Sequence, residues 1–154
     1  MGANSNTLWV GSNDSRKPFV GHYVLARYID GYGNFCDYDV LQYGHITAVA
    51  NICGFMSLGT IINASKVASW LQIENIPAHL WNTLQDARPK ENSFAVCEVY
   101  RTDKLDAKDT RLEVMEYRHL SCKRFTGVGF LRYNLYTEDT RIVRWCNLTD
   151  LILL

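Results

Sequence analysis

The sequence predicts an α+β fold, with strands at both ends of the chain and helices between them. Three observations carry this expectation. β-Branched and aromatic residues dominate both ends, glycine- and asparagine-rich clusters punctuate those runs, and the apolar spacing becomes helical in the middle. In chain order, Phe19 to Tyr28 and Phe35 to Ile52 read as strands joined through Asp30-Gly31-Tyr32-Gly33-Asn34, a hairpin. Asn63 is placed to cap a helix whose apolar positions Val67, Ala68, Trp70 and Leu71 fall on adjoining turns, and Pro77 suits the first turn of a second helix through Leu84. After the loop from Asp86 to Asn92, strand chemistry returns in Phe94 to Arg101, Arg111 to Cys122, Gly127 to Tyr136 and Arg141 to Cys146, read as an antiparallel meander. The end, Leu151-Ile152-Leu153-Leu154, has no polar tail and is expected to pack as a last strand or turn, as in a domain excised from a longer polypeptide.

A chain of 154 residues that is 47% hydrophobic and holds three prolines suits one compact domain, 1–154, rather than a disordered or repeated array. Sixteen basic residues balance sixteen acidic ones, so no global field would draw the chain onto duplex DNA or a membrane, and an anionic ligand must be held locally. Five cysteines without a CxxC pair read as reduced, buried thiols. With no apolar run of about eighteen residues and no charged-then-apolar leader, the expected setting is cytoplasmic. The sequons at Asn13, Asn63 and Asn147 are then read as turn and cap residues. The start Met1-Gly2-Ala3-Asn4-Ser5-Asn6 misses the acylation pattern because Asn6 stands where a hydroxyl residue is wanted.

Two tetrapeptides share one form: His45-Ile46-Thr47-Ala48 and His119-Leu120-Ser121-Cys122. In a strand, residues i and i+2 share a face, so each histidine lies beside a hydroxyl while the intervening residues turn inward. Two such pairs suit in-line phosphoryl transfer. A neutral imidazole takes a proton from the attacking hydroxyl, an imidazolium gives one to the leaving oxygen, and Thr47 and Ser121 donate hydrogen bonds to the phosphate. The scheme needs neither a metal nor a cofactor. Two copies among four histidines make the motif harder to dismiss than one.

On these motifs the sequence resembles the two-histidine phosphoesterase superfamily, from about Phe19 to Cys146. The resemblance implies a two-lobed fold with antiparallel sheets lining a central cleft and helices outside, His45 and His119 as acid and base, and Thr47 and Ser121 as phosphate ligands. The size and cysteine content look most like the viral 2′,5′-phosphodiesterase domains of coronaviruses and of the rotavirus capping enzyme. That likeness implies 2′,5′-oligoadenylate as substrate and antagonism of the host RNase L response in the host cytoplasm. The alternative within the superfamily is a phage enzyme degrading cyclic oligonucleotide signals.

Tyr43 and Tyr117, two residues before each histidine, are candidates for stacking on a base, and equally for strand packing. Arg118, Lys123 and Arg124 form a local basic cluster, with Arg118 and Arg124 the candidate phosphate contacts. His22 and His79 read as structural or surface residues. Three rivals stand beside the enzyme. Ala64 to Thr83 can be laid on a helix-turn-helix, although Pro77 to Gln85 lacks the basic residues that duplex binding requires. Cys36, His45 and Cys53 suggest a zinc site but lack close ligand pairs. A catalytically silent protein-binding domain would keep the strands and show no turnover.

Overall fold

The computed structural model describes residues 7–31, 36–46, 52–121, 123, 125–133 and 135–154. Its strands are β1 Val10–Gly11, β2 His22–Tyr28, β3 Tyr38–His45, β4 Cys53–Ser57, β5 Thr60–Ile62, β6 Val67–Gln72, β7 Ser93–Tyr100, β8 Thr110–Ser121, β9 Thr126–Arg132, β10 Leu135–Thr137 and β11 Ile142–Asn147. A short helix, α1 Leu148–Ile152, follows β11. The strands form two sheets with antiparallel pairing, ordered β1-β6-β2-β3-β4-β5 and β10-β9-β8-β7-β11. The chain is therefore rich in β-structure, and it divides into two compact units, Met1–Ile76 with Leu154 and Pro77–Leu153. Among the described residues, no helix is long and apolar enough to cross a membrane.

β2 and β3 pair as the expected hairpin, and β7, β8 and β11 fall on segments read as strands. Gly127 to Tyr136, read as one strand, is the β9–β10 hairpin, β4 and β5 lie outside the segments read as strands, and β11 returns beside β7 instead of extending the meander. Neither expected helix forms. Asn63 does cap, accepting from Ser65 N at 3.0 Å, but the capped element is one 3-10 turn, Ala64–Lys66, and Val67–Gln72 continues as β6. The reason is burial on both faces: Trp70, Leu71 and Gln72 are buried in succession, and a strand covered on both faces mimics the apolar density of a helix. From Pro77 a single 3-10 turn, Ala78–Leu80, leads into a bridge between Asn82 and Trp145. The segment that could be laid on a helix-turn-helix thus holds strand and 3-10 turns, and neither of the two expected helices is there to pack outside the sheets. The chain's end is also different, since Leu148–Ile152 is helical, with Asn147 capping Thr149 N at 3.3 Å. The sequons at Asn63 and Asn147 are cap residues, as read.

The two units repeat one topology. Each has a four-strand meander, then a 3-10 turn, then a fifth strand laid antiparallel to the first: β2 to β5, Ala64–Lys66 and β6 in one, β7 to β10, Asp139–Arg141 and β11 in the other. The register fixes residue equivalences. Ala26 pairs with both Asp39 and Trp70, and Cys97 pairs with both Glu113 and Trp145. Tyr43 lies opposite Phe55 and Tyr117 opposite Phe130. The cores correspond in the same way: Val24, Ala26, Leu41, Tyr43, Phe55 and Trp70 against Ala95, Cys97, Met115, Tyr117, Phe130 and Trp145.

Turn chemistry repeats too. Gly21 (φ 84°) and Asn92 (φ 66°) each begin the meander in the left-handed region, which glycine and asparagine tolerate best, and each donates its N–H at 2.6 Å to the carbonyl of Tyr43 or Tyr117. The β4–β5 turn has φ 49° at Leu58 and 80° at Gly59, the two positive values of a type I′ hairpin, and Tyr133 (φ 55°) starts the matching β9–β10 turn. Phe130 is 0% exposed at the centre of its core, whereas Phe19 is 58% exposed. Phe130→Ala should therefore cost about 3–5 kcal/mol in urea unfolding. Phe19→Ala should stay within about 0.5 kcal/mol.

Candidate functional site

His45 is the last residue of β3 and His119 lies near the end of β8, in different units. Both are exposed. His45 sits opposite Cys53 in the register, with Nδ1 3.5 Å from the thiol. His119 sits opposite Val128, and Ser121 is exposed two residues further along the same face. Thr47 and Arg124 lie outside the described residues, as does Cys122. Arg118 sits between its neighbours, its Nε donating to Glu116 at 2.8 Å and its Nη1 to the His119 carbonyl at 3.4 Å. Lys123 is exposed. His22 pairs with Glu74, and His79 is exposed.

Tyr43 and Tyr117 are core residues, 8% and 5% exposed, each packed edge-on against a phenylalanine at 5.3 Å (Phe55) and 4.8 Å (Phe130). Tyr117 is enclosed in its core, so stacking a base on it would require opening that core, whereas Tyr43 also borders a cavity. The zinc candidates give a pair only: Cys53 meets His45, Cys36 donates to the Tyr38 carbonyl, and no group of three such ligands occurs among the described residues.

The equivalence of Tyr43 with Tyr117 makes His45 equivalent to His119. The two tetrapeptides thus begin at equivalent positions of two units whose described cores and turns correspond. Sequence reasoning missed this although the signal was present: Leu8-Trp9 with Asp14, Arg16 and Pro18 matches Leu80-Trp81 with Asp86, Arg88 and Pro89, and Gly54-Phe55 and Trp70 match Gly129-Phe130 and Trp145. Loops of unequal length give the matches no fixed period, so they escape a search for one.

One corner differs between the units. In the first, a cavity of about 180 Å³ is lined by Tyr43, Phe55, Trp70 and Cys53, with Asp14, Arg16, Lys17 and Ala64 also on its walls. Arg16 is turned onto Asp14, donating through Nη2 at 2.8 Å and Nε at 3.1 Å. The side-chain hydrogen bond from Arg16 holds the Asp14 carboxyl down at about 2. Burial, and then the nearby Cys53 thiol, push the Tyr43 phenol up. In the second unit, Arg88 spans the corresponding corner, donating to the Tyr117 hydroxyl at 3.3 Å and to Asp139 at 2.9 Å, which together raise its pKa. Asp139 opens the 3-10 turn before β11, and its equivalent before β6 is Ala64.

No protein-family model matches the chain, and no curated protein or solved structure matches it. Function must therefore be read from these corners and side chains.

The thiols divide by environment. Cys97 and Cys146 are 0% exposed, and burial raises both, Cys146 to about 12, whereas Cys36 and Cys53 are half-buried. At neutral pH a maleimide should modify Cys53 and Cys36 in the folded protein and reach Cys97 and Cys146 only after unfolding, read cysteine by cysteine by peptide mass mapping. Because the folded state keeps the Cys146 proton while an unfolded thiol loses it near 8.5, stability should fall as pH rises from about 9 towards 12. Cys146→Ala should flatten that fall.

Proposed function

We propose that this chain is a binding protein built from two copies of one β-unit, and that the first copy holds the ligand in the cavity over Tyr43, Phe55 and Trp70. One observation carries the reading: the same corner is spanned internally by Arg88 and Asp139 in one unit and left as a cavity in the other. An apolar aromatic floor with a few charged groups at the rim is the usual composition of a ligand site. Size restricts the occupant. At about 180 Å³ the cavity falls below the 300–1,000 Å³ of sites that engulf a drug-sized ligand, so it suits a single functional group or a partner's side chain rather than an oligonucleotide. Titrating labelled protein with small fragments while following amide and aromatic NMR signals should shift Tyr43, Gly54, Phe55 and Trp70 together. A fragment set that leaves all four unmoved would overturn the reading.

A second reading, the two-histidine phosphodiesterase, keeps one supporting observation. His45 and His119 are repeated and exposed in both units, so core packing does not account for their retention. In that reading one imidazole deprotonates the free 3′ hydroxyl of a 2′,5′-linked adenylate, the other protonates the 5′ leaving oxygen, and a 2′,3′-cyclic phosphate forms. The substrate would be 2′,5′-oligoadenylate, cleaved without metal. Purified protein should then cleave a 2′,5′-adenylate trimer but not its 3′-deoxy analogue, with His45→Ala and His119→Ala each losing at least about 100-fold in rate. No turnover by the unaltered protein would remove this reading and leave the first untouched.

A further inference from the structure

Resting on the binding reading, we propose that the first unit's cavity takes a carboxylate, in the place that the Asp139 carboxylate occupies in the second unit. The second unit serves as an internal template. There, an arginine beside the buried tyrosine is met by a carboxylate delivered from the 3-10 turn before the fifth strand. The first unit keeps the tyrosine as Tyr43 and the basic partner as Arg16, with Lys17 inserted before the shared proline, but its 3-10 turn begins with Ala64. The acid is the component missing from the set.

Charge and geometry agree with this assignment. Two cations, Arg16 and Lys17, and one anion, Asp14, line the cavity, leaving a positive balance. Tyr43 lines the cavity and its hydroxyl has no hydrogen-bond partner among the described residues, whereas the equivalent Tyr117 hydroxyl accepts from Arg88. Arg16 is held by Asp14 in a pair whose side chains are 64% and 33% exposed. Exposed pairs of this kind contribute little and exchange readily, so an incoming acid can share or take over the guanidinium, with Lys17 as a second donor. The floor of Phe55 and Trp70 would hold an apolar stem, such as a benzoate ring or the methylene of an acidic side chain.

The two units permit a reciprocal test. Benzoate is the first probe and benzamidine, its cationic counterpart in shape, the second, both followed by NMR at Tyr43, Phe55 and Trp70. Ala64→Asp, at an exposed position, should install the second unit's ion pair and weaken benzoate by at least about tenfold. Asp139→Ala should release Arg88 and open a second benzoate site, seen as new shifts at Tyr117 and Phe130. Benzoate affinity should also drop as pH falls through about 4, the carboxylate range, where Asp14 stays ionised because Arg16 holds it at about 2. A C-terminally amidated peptide with one aspartate, set against the same peptide with asparagine, separates a partner's side chain from a free small acid, and binding in either arm supports the assignment. Benzamidine binding in place of benzoate, or an Ala64→Asp protein with unchanged benzoate affinity, would overturn the carboxylate while leaving the cavity as a site. Silence from both probes at all three aromatic residues would overturn the cavity reading itself.

Discussion

Each sheet depends on an edge-on contact between a tyrosine of the meander's second strand and a phenylalanine of its third, Tyr43 with Phe55 and Tyr117 with Phe130. Such a pair adds about 0.5–1.5 kcal/mol to the burial of its rings, but its larger effect is on register. A slip of one residue between their strands would put the two rings on opposite faces, so the contact and the apolar face of the sheet stand or fall together. The glycines next to the two phenylalanines make room for other side chains. A Cβ at Gly54 would come within 2.4 Å of the Ile46 side chain, and one at Gly129 within 2.7 Å of Tyr136. The tyrosine carbonyls then receive the N–H of Gly21 and Asn92, tying the start of the first strand to the middle of the second.

With that framework fixed, the units diverge at loops and turns, where a substitution need not repack the core. Position 64 or 139, at the head of the 3-10 turn, is such a place. An aspartate there draws Arg88 across the tyrosine, while an alanine leaves Arg16 to a nearer carboxylate, Asp14. Arg144 makes a related use of its neighbours, donating to Glu98 at 2.7 Å while lying 3.9 Å from the centre of the Trp81 ring. The equivalent of Arg144 before the tryptophan of β6 is Ser69. The second unit is thus bound by internal ion pairs at positions where the first has small residues.

The strands were legible in the sequence where alternation survives because one face is solvated, as at the end of β8, where part-buried Arg118 and Leu120 alternate with exposed His119 and Ser121. β6 was not legible as a strand: burial of Trp70, Leu71 and Gln72 in a row erases period two, and the Asn63 cap pointed to a helix that ends after one turn. The position of His45 and His119 on strands was legible. The cavity was not, since Asp14, Arg16, Tyr43, Phe55, Ala64 and Trp70 are distant in sequence and meet only through the β1–β6–β2 and β3–β4 pairings.

Repetition of the unit also changes what the two histidine motifs can prove. Read as independent events, two copies of histidine, apolar, hydroxyl, apolar argue for shared chemistry, because coincidence is improbable. Read as parts of a repeated unit, Tyr43-Gly44-His45 and Tyr117-Arg118-His119 occupy equivalent positions, and the second copy adds no independent weight. The informative comparison is then between what the copies kept and what they changed. The tyrosine was kept for the core. The exposed histidine was kept without a packing reason, while its cross-strand partner changed from Cys53, which lines the cavity, to Val128. His45 therefore stands beside a corner where the units differ, and its relation to that corner through Cys53 ties the histidine more closely to the cavity than its likeness to His119 ties it to catalysis.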